Sequence, residues 1–317
     1  MEVIKLNFPL NINKNEIPPL AMALGYFDGV HLGHQQVVLE AKKQADKKGL
    51  RSAVMTFDPH PSVVLGMNKN QVQYITPLEE KTKIIESLGI DYLFIVHFTS
   101  EFANLLPQEF IDQYVIGLNV QHVVAGFDFT YGRMGKGTME TILFHSRDEF
   151  SYSIVPKFVH ESEKVSSTRI RHLIKEGNTR GLPTLLGRSY TTTGVVIHGD
   201  KRGRTIGFPT ANIDIEGEYI IPPLGVYAVR MKVRSVWYNG VCNVGFKPTF
   251  NNEARKQSVE VHLFDFDQEI YGDEVMVEWH HYIRKEQKFS GIEQLVAQIE
   301  KDKQQTIEYF ENNRQSF

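Results

Sequence analysis

The feature that most constrains this chain is a change of rhythm near its middle. From residue 20 to about 176, short apolar runs alternate with amphipathic stretches, as parallel strands alternate with crossover helices. The strands read this way are Leu20–Leu24, Ala53–Phe57, Tyr92–Val96, His122–Ala125 and Ser153–Val155. Between them, Thr76-Pro77-Leu78-Glu79 offers an N-cap threonine, a proline at the first helical position and a capping-box glutamate, with Gly89 as a stop. After Gly187 strand signals dominate: Thr191–Ile197, Val226–Val233, Val236–Val244, Val259–Phe264 and Val275–Trp279. A last helix opens at Ser290-Gly291-Ile292-Glu293, with Ile292, Leu295, Val296, Ile299, Ile307 and Phe310 at helical spacing. The expected architecture is therefore α/β with a parallel sheet, then a small, mainly β barrel with one packed helix. Gly177-Asn178, Gly181 and Pro183 mark the junction, which gives domains at 1–182 and 187–317.

A chain of 317 residues is long enough for two cores. With 41% hydrophobic and 23% charged residues the composition is that of a soluble protein, and no run approaches the roughly 18 apolar residues of a membrane span. No basic segment followed by an apolar run stands at the N-terminus, and Cys242 is the single cysteine, so the expected setting is a reducing cytoplasm without disulfides. A net charge of −3 argues against nucleic acid as a partner, and no membrane partner is expected. His280-His281 lacks further ligands at zinc spacing, and Cys242 reads as a small buried hydrophobe.

Ligands of open parallel sheets bind at the carboxyl ends of the strands. Three loops fall there: Gly25 to His34, Asp58 to Pro61 and Gly126 to Gly132. In the first, a glycine turn leads from a strand into a helix carrying Val37, Val38, Ala41 and Ala45 and closed by Lys47-Lys48-Gly49. His31 and His34, three apart at that helix start, share a face beside backbone N–H groups and the positive end of the helix dipole. Gly33 between them leaves room for a nucleotide, and imidazole N–H groups can stabilise charge developing on an α-phosphate. Nucleotidyl transfer is the chemistry implied. Further on, Ser166-Ser167-Thr168-Arg169 offers hydroxyls, N–H groups and a guanidinium to one anion, a set suited to departing pyrophosphate.

The second half holds a different phosphate loop. Between His198 and Asn212 stand Gly199, Gly203 and Gly207, the basic residues Lys201, Arg202 and Arg204, and the tetrapeptide Pro209-Thr210-Ala211-Asn212. Glycines let N–H groups face an anion, and the Thr210 hydroxyl with the Asn212 carbonyl are hard donors suited to magnesium beside a nucleotide. Neither Gly-x-x-x-x-Gly-Lys-Ser/Thr nor Gly-x-Gly-x-x-Gly occurs in the chain. In Val259 to Leu263 the aliphatic residues alternate with Ser258, Glu260 and His262, so Glu260 faces away from the apolar side.

The string Phe27-Asp28-Gly29-Val30-His31-Leu32-Gly33-His34-Gln35 resembles the His-x-Gly-His signature of the nucleotidyltransferase superfamily. Within that superfamily it is similar to the bacterial bifunctional riboflavin kinase/FMN adenylyltransferases. Phe57 to Pro61, Gly126 to Gly132 and Val165 to Arg171 follow in that family's order, as do Pro209 to Asn212, Gly225 to Ala228, Asn243 to Phe250 and Glu260 to Asp267. Position 26 departs from it, with tyrosine where asparagine is common. The resemblance implies a Rossmann-like nucleotidyltransferase domain followed by an antiparallel β-barrel kinase domain with a C-terminal helix. ATP would serve as co-substrate with Mg2+, riboflavin would be phosphorylated to FMN, and FMN would be adenylylated to FAD. An alternative keeps only the adenylyltransferase, with the barrel as a flavin-binding accessory. In the first half the resemblance implies catalytic parts for His31, His34 and Arg169. It puts Gly25, Phe27, Asp28, Gly33, Ser167, Thr168 and Arg171 at the ATP phosphates, and Asp128, Phe129, Pro59 and His60 at the flavin and nucleotide. His60, between two prolines, reads as a rigid loop residue and not as a catalytic one. In the second half Glu260 would be the general base, and Thr210 and Asn212 would hold the metal. Gly199, Lys201, Gly203, Arg204, Gly207 and Pro209 would bind ATP, and Arg284 riboflavin. Oligomeric state stays open between a monomer and a transient homo-oligomer.

Overall fold

A computed structural model describes residues 1–10, 12–66, 72–200, 202–215, 217–246 and 257–313. Lys201 and the stretch 247–250 of the Asn243 to Phe250 motif lie outside the described residues. The chain divides into two compact units, Met1–Ser167 and Thr168–Phe317.

The first unit is built on six parallel strands: β1 Glu2–Leu6, β2 Leu20–Leu24, β3 Arg51–Asp58, β4 Tyr92–His97, β5 Val120–Gly126 and β6 Ser151–Val155. Their order is β1-β4-β3-β2-β5-β6. All five expected strands are present, and β1 is an addition at the edge. Helix α1, Leu32–Lys48, buries Val37, Val38, Ala41 and Ala45 against Ala23, Val54, Leu93 and Val124 on one face of the sheet. Helix α2, Leu78–Ser87, adds Ile85 to that face. The alternate residues Met22, Leu24, Met55, Phe94 and Val123 turn to the other face, where α3, Pro107–Tyr114, contributes Phe110, Ile111 and Tyr114. Because β3 and β5 flank β2 on opposite sides, the order reverses at β2, and the crevice between β2 and β5 is where such sheets take ligands.

Two helix ends bear on the expectations. Gly49 closes α1 in the left-handed region with φ 67°. The Thr76 cap is corrected: Pro77 stands at the cap position of α2 without a side-chain cap bond. The N–H groups of Ile75 and Thr76, which precede the helix, go to the Asp28 carboxylate, so this segment is anchored by a tertiary contact.

In the second unit, six antiparallel strands close a barrel: β7 Tyr190–Ile197, β8 Ala211–Ile215, β9 Gly225–Val233, β10 Val236–Phe246, β11 Gln257–Leu263 and β12 Glu274–Arg284, ordered β7-β8-β11-β10-β9-β12. Strand β8 carries the Ala211-Asn212 dipeptide that the sequence placed in a loop. The inside is filled by Tyr227, Val229, Met231, Cys242, Val244, Val261, Val277 and Trp279, each fully buried, and the Trp279 indole N–H donates to Thr192 Oγ1 at 3.0 Å. The unit begins in the helix Ser167–Lys175, which buries Ile170 and Ile174. Its last helix, Ile292–Asn312, covers Val226, Val241 and Phe264 through Ile307. The expected apolar stripe of that helix is only partly covered: Ile292 is exposed, and Asp302, Thr306 and Phe310 are the buried positions.

Candidate active sites

At the carboxyl ends of β2, β3 and β5 lies a cavity of about 1100 Å³. Gly25, Tyr26, Phe27 and His34 border it from the first expected loop, Pro61 from the second, and Gly126 with Asp128 to Gly132 from the third. The three loops do converge. Phe57, Phe98, Phe102, Phe110, Phe129 and Tyr131 add an aromatic wall, the kind of surface that takes a flat ring system.

The β2–α1 turn runs through three left-handed residues, Phe27 (φ 56°), Gly29 (φ 85°) and Val30 (φ 37°), two of them not glycine. Tertiary contacts hold this conformation. Asp28, expected at the phosphates, is buried with its carboxylate accepting the N–H groups of Ile75 and Thr76 at 3.1 Å. Its main-chain carbonyl accepts the Ser167 hydroxyl at 2.9 Å. Asp28 thus shapes the loop, and Ser167 fastens to it.

His31 is the N-cap of α1, with Nδ1 accepting the His34 N–H at 3.1 Å. Its neutral ring therefore carries its proton on Nε2. The His34 ring stacks on it at 3.6 Å between centroids, 18° from parallel. A Cβ at Gly33 would lie 3.2 Å from the His31 ring, which accounts for glycine at that position. Burial, then the charges of His31, Lys81 and Lys164, hold the His34 pKa well below the usual imidazole value. Buried Nδ1 of His34 has no hydrogen-bond partner among the described residues. A neutral His34 beside backbone N–H groups at a helix start is a polar donor suited to an anion.

Around this centre Asp128 pairs with Lys164, whose ammonium also lies 4.7 Å from the Phe127 ring centroid. His60 caps a short helix: its Nδ1 accepts the Ser62 N–H at 3.0 Å, and its ring meets Tyr26 edge-on at 4.4 Å. The geometry gives His60 a structural part, while Pro59 precedes it across a cis Asp58–Pro59 bond. Thr168, Arg169 and Arg171 stand in the first turns of the helix that opens the second unit, with both arginines half-buried. Sequence reasoning missed Lys81 and Lys164, since a lysine among Glu79, Glu80 and Lys83 reads as solvated surface. The only local signal was its i,i+4 spacing from buried Ile85.

In the barrel, Glu260 on β11 sits in register between Asn212 of β8 and Asn243 of β10. Residues opposite each other in antiparallel register share a face, so these three form one polar row on the outside, away from interior Val259 and Val261. Cys242 neighbours it; burial first, then the Glu260 charge, raises the thiol pKa. Gly199 approaches this row closely: a Cβ there would lie 2.1 Å from Asn212 Nδ2. Arg202–Thr205 forms one helical turn, and a Cβ at Gly203 would strike the Phe208 carbonyl at 2.2 Å. Gly207 has φ 87°, which a glycine adopts without strain. His262, which the sequence did not single out, bonds the Pro209 carbonyl through Nδ1 at 2.8 Å and so fixes the segment leading to Thr210.

A second cavity of about 300 Å³ opens at one mouth of the barrel between Arg204, Pro209, Thr210, Val261, Phe266 and Tyr271. It brings three expected ATP and metal residues together, but Glu260 and Asn212 are not on its lining. Arg284, expected at riboflavin, has its guanidinium engaged by Asp302, with Nε to Oδ1 at 2.8 Å and the terminal nitrogen to Oδ2 at 2.7 Å. Thr210 and Asn212 offer neutral oxygens, and the Glu260 carboxylate stands in register beside Asn212. That donor chemistry fits a magnesium ion that brings phosphate oxygens and water as its other ligands. Among the described residues no group of three or more His, Cys, Asp or Glu is placed to hold a metal, and no helix is long and apolar enough to cross a membrane.

An α/β unit with stacked histidines at its strand crevice, followed by a closed barrel with a glycine loop, defines a transferase class with two nucleotide-type sites in one chain. The FAD synthetase family model matches residues 13–169, and the riboflavin kinase model matches 186–310. The chain belongs to the bifunctional riboflavin kinase/FMN adenylyltransferase family. It is 53% identical over 315 residues to the Bacillus subtilis (strain 168) protein of that name, covering 99% of this chain and 100% of that one. The Listeria monocytogenes protein of the same name is 48% identical over 310 residues, covering 98% of each. A solved structure from Streptococcus pneumoniae, described as a macrolide-efflux protein, superposes with a TM-score of 0.85 at 36% identity and covers 96% of this chain and 98% of that one.

Proposed function

We propose that this chain makes FAD from riboflavin in two ATP-dependent steps, kinase first and adenylyltransferase second, with domains over 187–317 and 1–182 respectively. The observation that carries the reading is the pairing of the His31–His34 stack at the 1100 Å³ cavity with the Asn212–Glu260–Asn243 row on the barrel, in a chain matched by both family models.

In the kinase step Glu260 takes the proton of the ribityl 5′-hydroxyl as that oxygen attacks the γ-phosphorus, and ADP leaves. Thr210 and Asn212 would hold Mg2+, which supplies charge neutralisation at the phosphates. Gly199, Gly203, Arg204, Gly207 and Pro209 cradle ATP, as Lys201 is expected to do. In the adenylyl step an FMN phosphate oxygen attacks the α-phosphorus in line, and the bond to the β-phosphate breaks to release pyrophosphate. His31 and His34 donate N–H groups to the α-phosphate charge, and the α1 start with Gly25, Phe27 and Gly33 lets the backbone approach the nucleotide. Thr168, Arg169 and Arg171, next in sequence after Ser167, meet the departing pyrophosphate. Asp128 and Phe129, at the rim of the aromatic wall, receive flavin and nucleotide. The partners are small molecules, and the setting is the cytoplasm.

The test is incubation of the full chain with riboflavin, ATP and magnesium, the flavins being separated by chromatography. FMN followed by FAD is expected. Absence of FMN refutes the kinase reading, and absence of FAD when FMN is supplied refutes the adenylyltransferase reading.

A further inference from the structure

A buried ammonium lies directly behind the phosphate loop of the first unit. Lys81, on α2, is 2% exposed. Its Nζ donates to the main-chain carbonyl of Tyr26 at 2.9 Å and to Thr56 Oγ1 at 3.3 Å, and it stands 4.3 Å from the centroid of the Tyr26 ring. A lysine so far from water is costly unless its neighbours compensate, and here two oxygens and an aromatic face do so. Asp28 and Asp58 add favourable charge.

The Tyr26 carbonyl immediately precedes the left-handed run of Phe27, Gly29 and Val30. The orientation of that peptide fixes how the turn enters α1 and where its N–H groups aim. Thr56 Oγ1, which accepts from Lys81, itself donates to the same Tyr26 carbonyl at 2.8 Å. Lys81, Thr56 and Tyr26 therefore close one small network across α2, β3 and the phosphate loop. The Lys81 charge also reaches His34 and opposes its protonation.

We infer that Lys81 is a positioning residue for adenylyl transfer, holding the Tyr26 carbonyl so that the β2–α1 turn and the neutral His34 are in place for the α-phosphate. The inference rests on the adenylyltransferase reading of the first unit. Lys81 touches the loop and not the cavity, whose lining it does not join, so its loss acts on turnover more than on substrate binding. Burial lowers its pKa to about 8, against the pull of Asp28 and Asp58. The titratable groups facing it are Tyr26 and Asp28 in the loop, Asp58 at the end of β3 and His34 on α1. Of these, His34 titrates well below its usual range and Tyr26 well above its own, so Lys81 loses its charge as pH rises past about 8.

The experiment compares wild type with Lys81→Met, Lys81→Arg and Thr56→Val in the full chain. It measures kcat and KM for FAD formation from supplied FMN, and riboflavin phosphorylation by the same preparation as a check on folding. Lys81→Met is expected to lower the adenylyl-transfer kcat about 100-fold, with KM values and the kinase rate within about threefold of wild type. Lys81→Arg is expected to recover much of kcat and to lack the wild-type fall in rate above about pH 8. Should Lys81→Met fail to fold, Thr56→Val carries the test, with a drop in kcat of about fivefold at unchanged KM. A kcat for Lys81→Met within about threefold of wild type, a loss confined to KM, an arginine variant as inactive as the methionine one, or an unaffected kcat in Thr56→Val each overturns the inference. A wild-type chain that makes no FAD overturns the reading of the unit itself and the inference with it.

Discussion

His31 accepts the backbone N–H of His34 through Nδ1 at 3.1 Å while the two rings stack 3.6 Å apart. One residue thus caps the helix and the other stands on the cap. The cap directs the proton of neutral His31 to Nε2, and burial first, then the neighbouring His31, disfavours charge on His34. Two histidines at this spacing are therefore not equivalent, although both are expected at the α-phosphate.

The inequivalence is measurable. His31→Ala and His34→Ala should each lower FAD formation from supplied FMN by at least about 100-fold while leaving riboflavin phosphorylation intact. His31→Ala should also cost about 1 kcal/mol of stability through the lost cap, a cost His34→Ala escapes. Flavin chromatography and thermal unfolding on the same samples read both effects. Retained adenylylation in either variant would falsify the role given to that residue.

Glu260 supplies the complementary case. Glu260→Gln keeps the shape of the Asn212–Glu260–Asn243 row but removes the base, so FMN formation should fall by about 100-fold or more while FAD formation from added FMN persists. Measured initial rates of the two half-reactions decide it. Equal losses in both would show that the sites are not independent.

How far the sequence reaches can be judged residue by residue. The strands of the first sheet were readable because both faces are covered: all of Leu20–Leu24 is buried, which leaves an uninterrupted apolar run. Edge strand β1 was missed because Leu6 is its only buried residue, so Glu2, Val3 and Lys5 resemble an exposed leader. Strand β8 was hidden inside Pro209 to Asn212, where loop residues pass directly into the ladder. At the site, the expectations for His31, Gly33 and His34 rest on chemistry that follows from neighbours in sequence. For Asp28, expected at the phosphates, the long-range partners, the Ile75 and Thr76 N–H groups, are invisible in a local motif. Lys81 was passed over for the same reason, since its partners Tyr26 and Thr56 lie 55 and 25 residues away.

Acid should weaken the first unit through His122. This side chain on β5 is buried between Ser151 Oγ at 2.7 Å and Ser153 Oγ at 2.9 Å, and burial, aided by Lys48, lowers its pKa from 6.5 to about 4. A histidine with a depressed native pKa binds its proton more readily when unfolded, so its contribution is intact above pH 6.5 and is lost as pH falls toward 4. Denaturant midpoints taken between those limits should fall in wild type and fall less in His122→Asn. An identical pH slope in the variant would remove His122 as the cause.

The Arg284–Asp302 pair offers a test that separates structure from ligand binding. Asp302 is 2% exposed and receives two guanidinium nitrogens as well as the Gln298 amide, so the pair ties the last helix to β12. Removing Arg284 leaves the buried Asp302 carboxylate without its cation, which costs roughly 3–5 kcal/mol, whereas Arg284 is only half-buried and can turn its charge to water. Arg284→Met should lose that much in denaturant unfolding and Asp302→Leu less, whereas the double variant should lose much less than the sum, since no unpaired buried charge remains. The kinase KM for riboflavin then distinguishes the two parts Arg284 could play. If the guanidinium serves only as the helix clasp, the double variant, folded again, should bind riboflavin with a KM near wild type. If it also reaches the flavin, KM rises in Arg284→Met and stays raised in the double variant, while Asp302→Leu alone leaves it near wild type. The engagement of all three guanidinium nitrogens by Asp302 and the Lys285 carbonyl favours the clasp, so recovery of KM together with stability is the expected outcome.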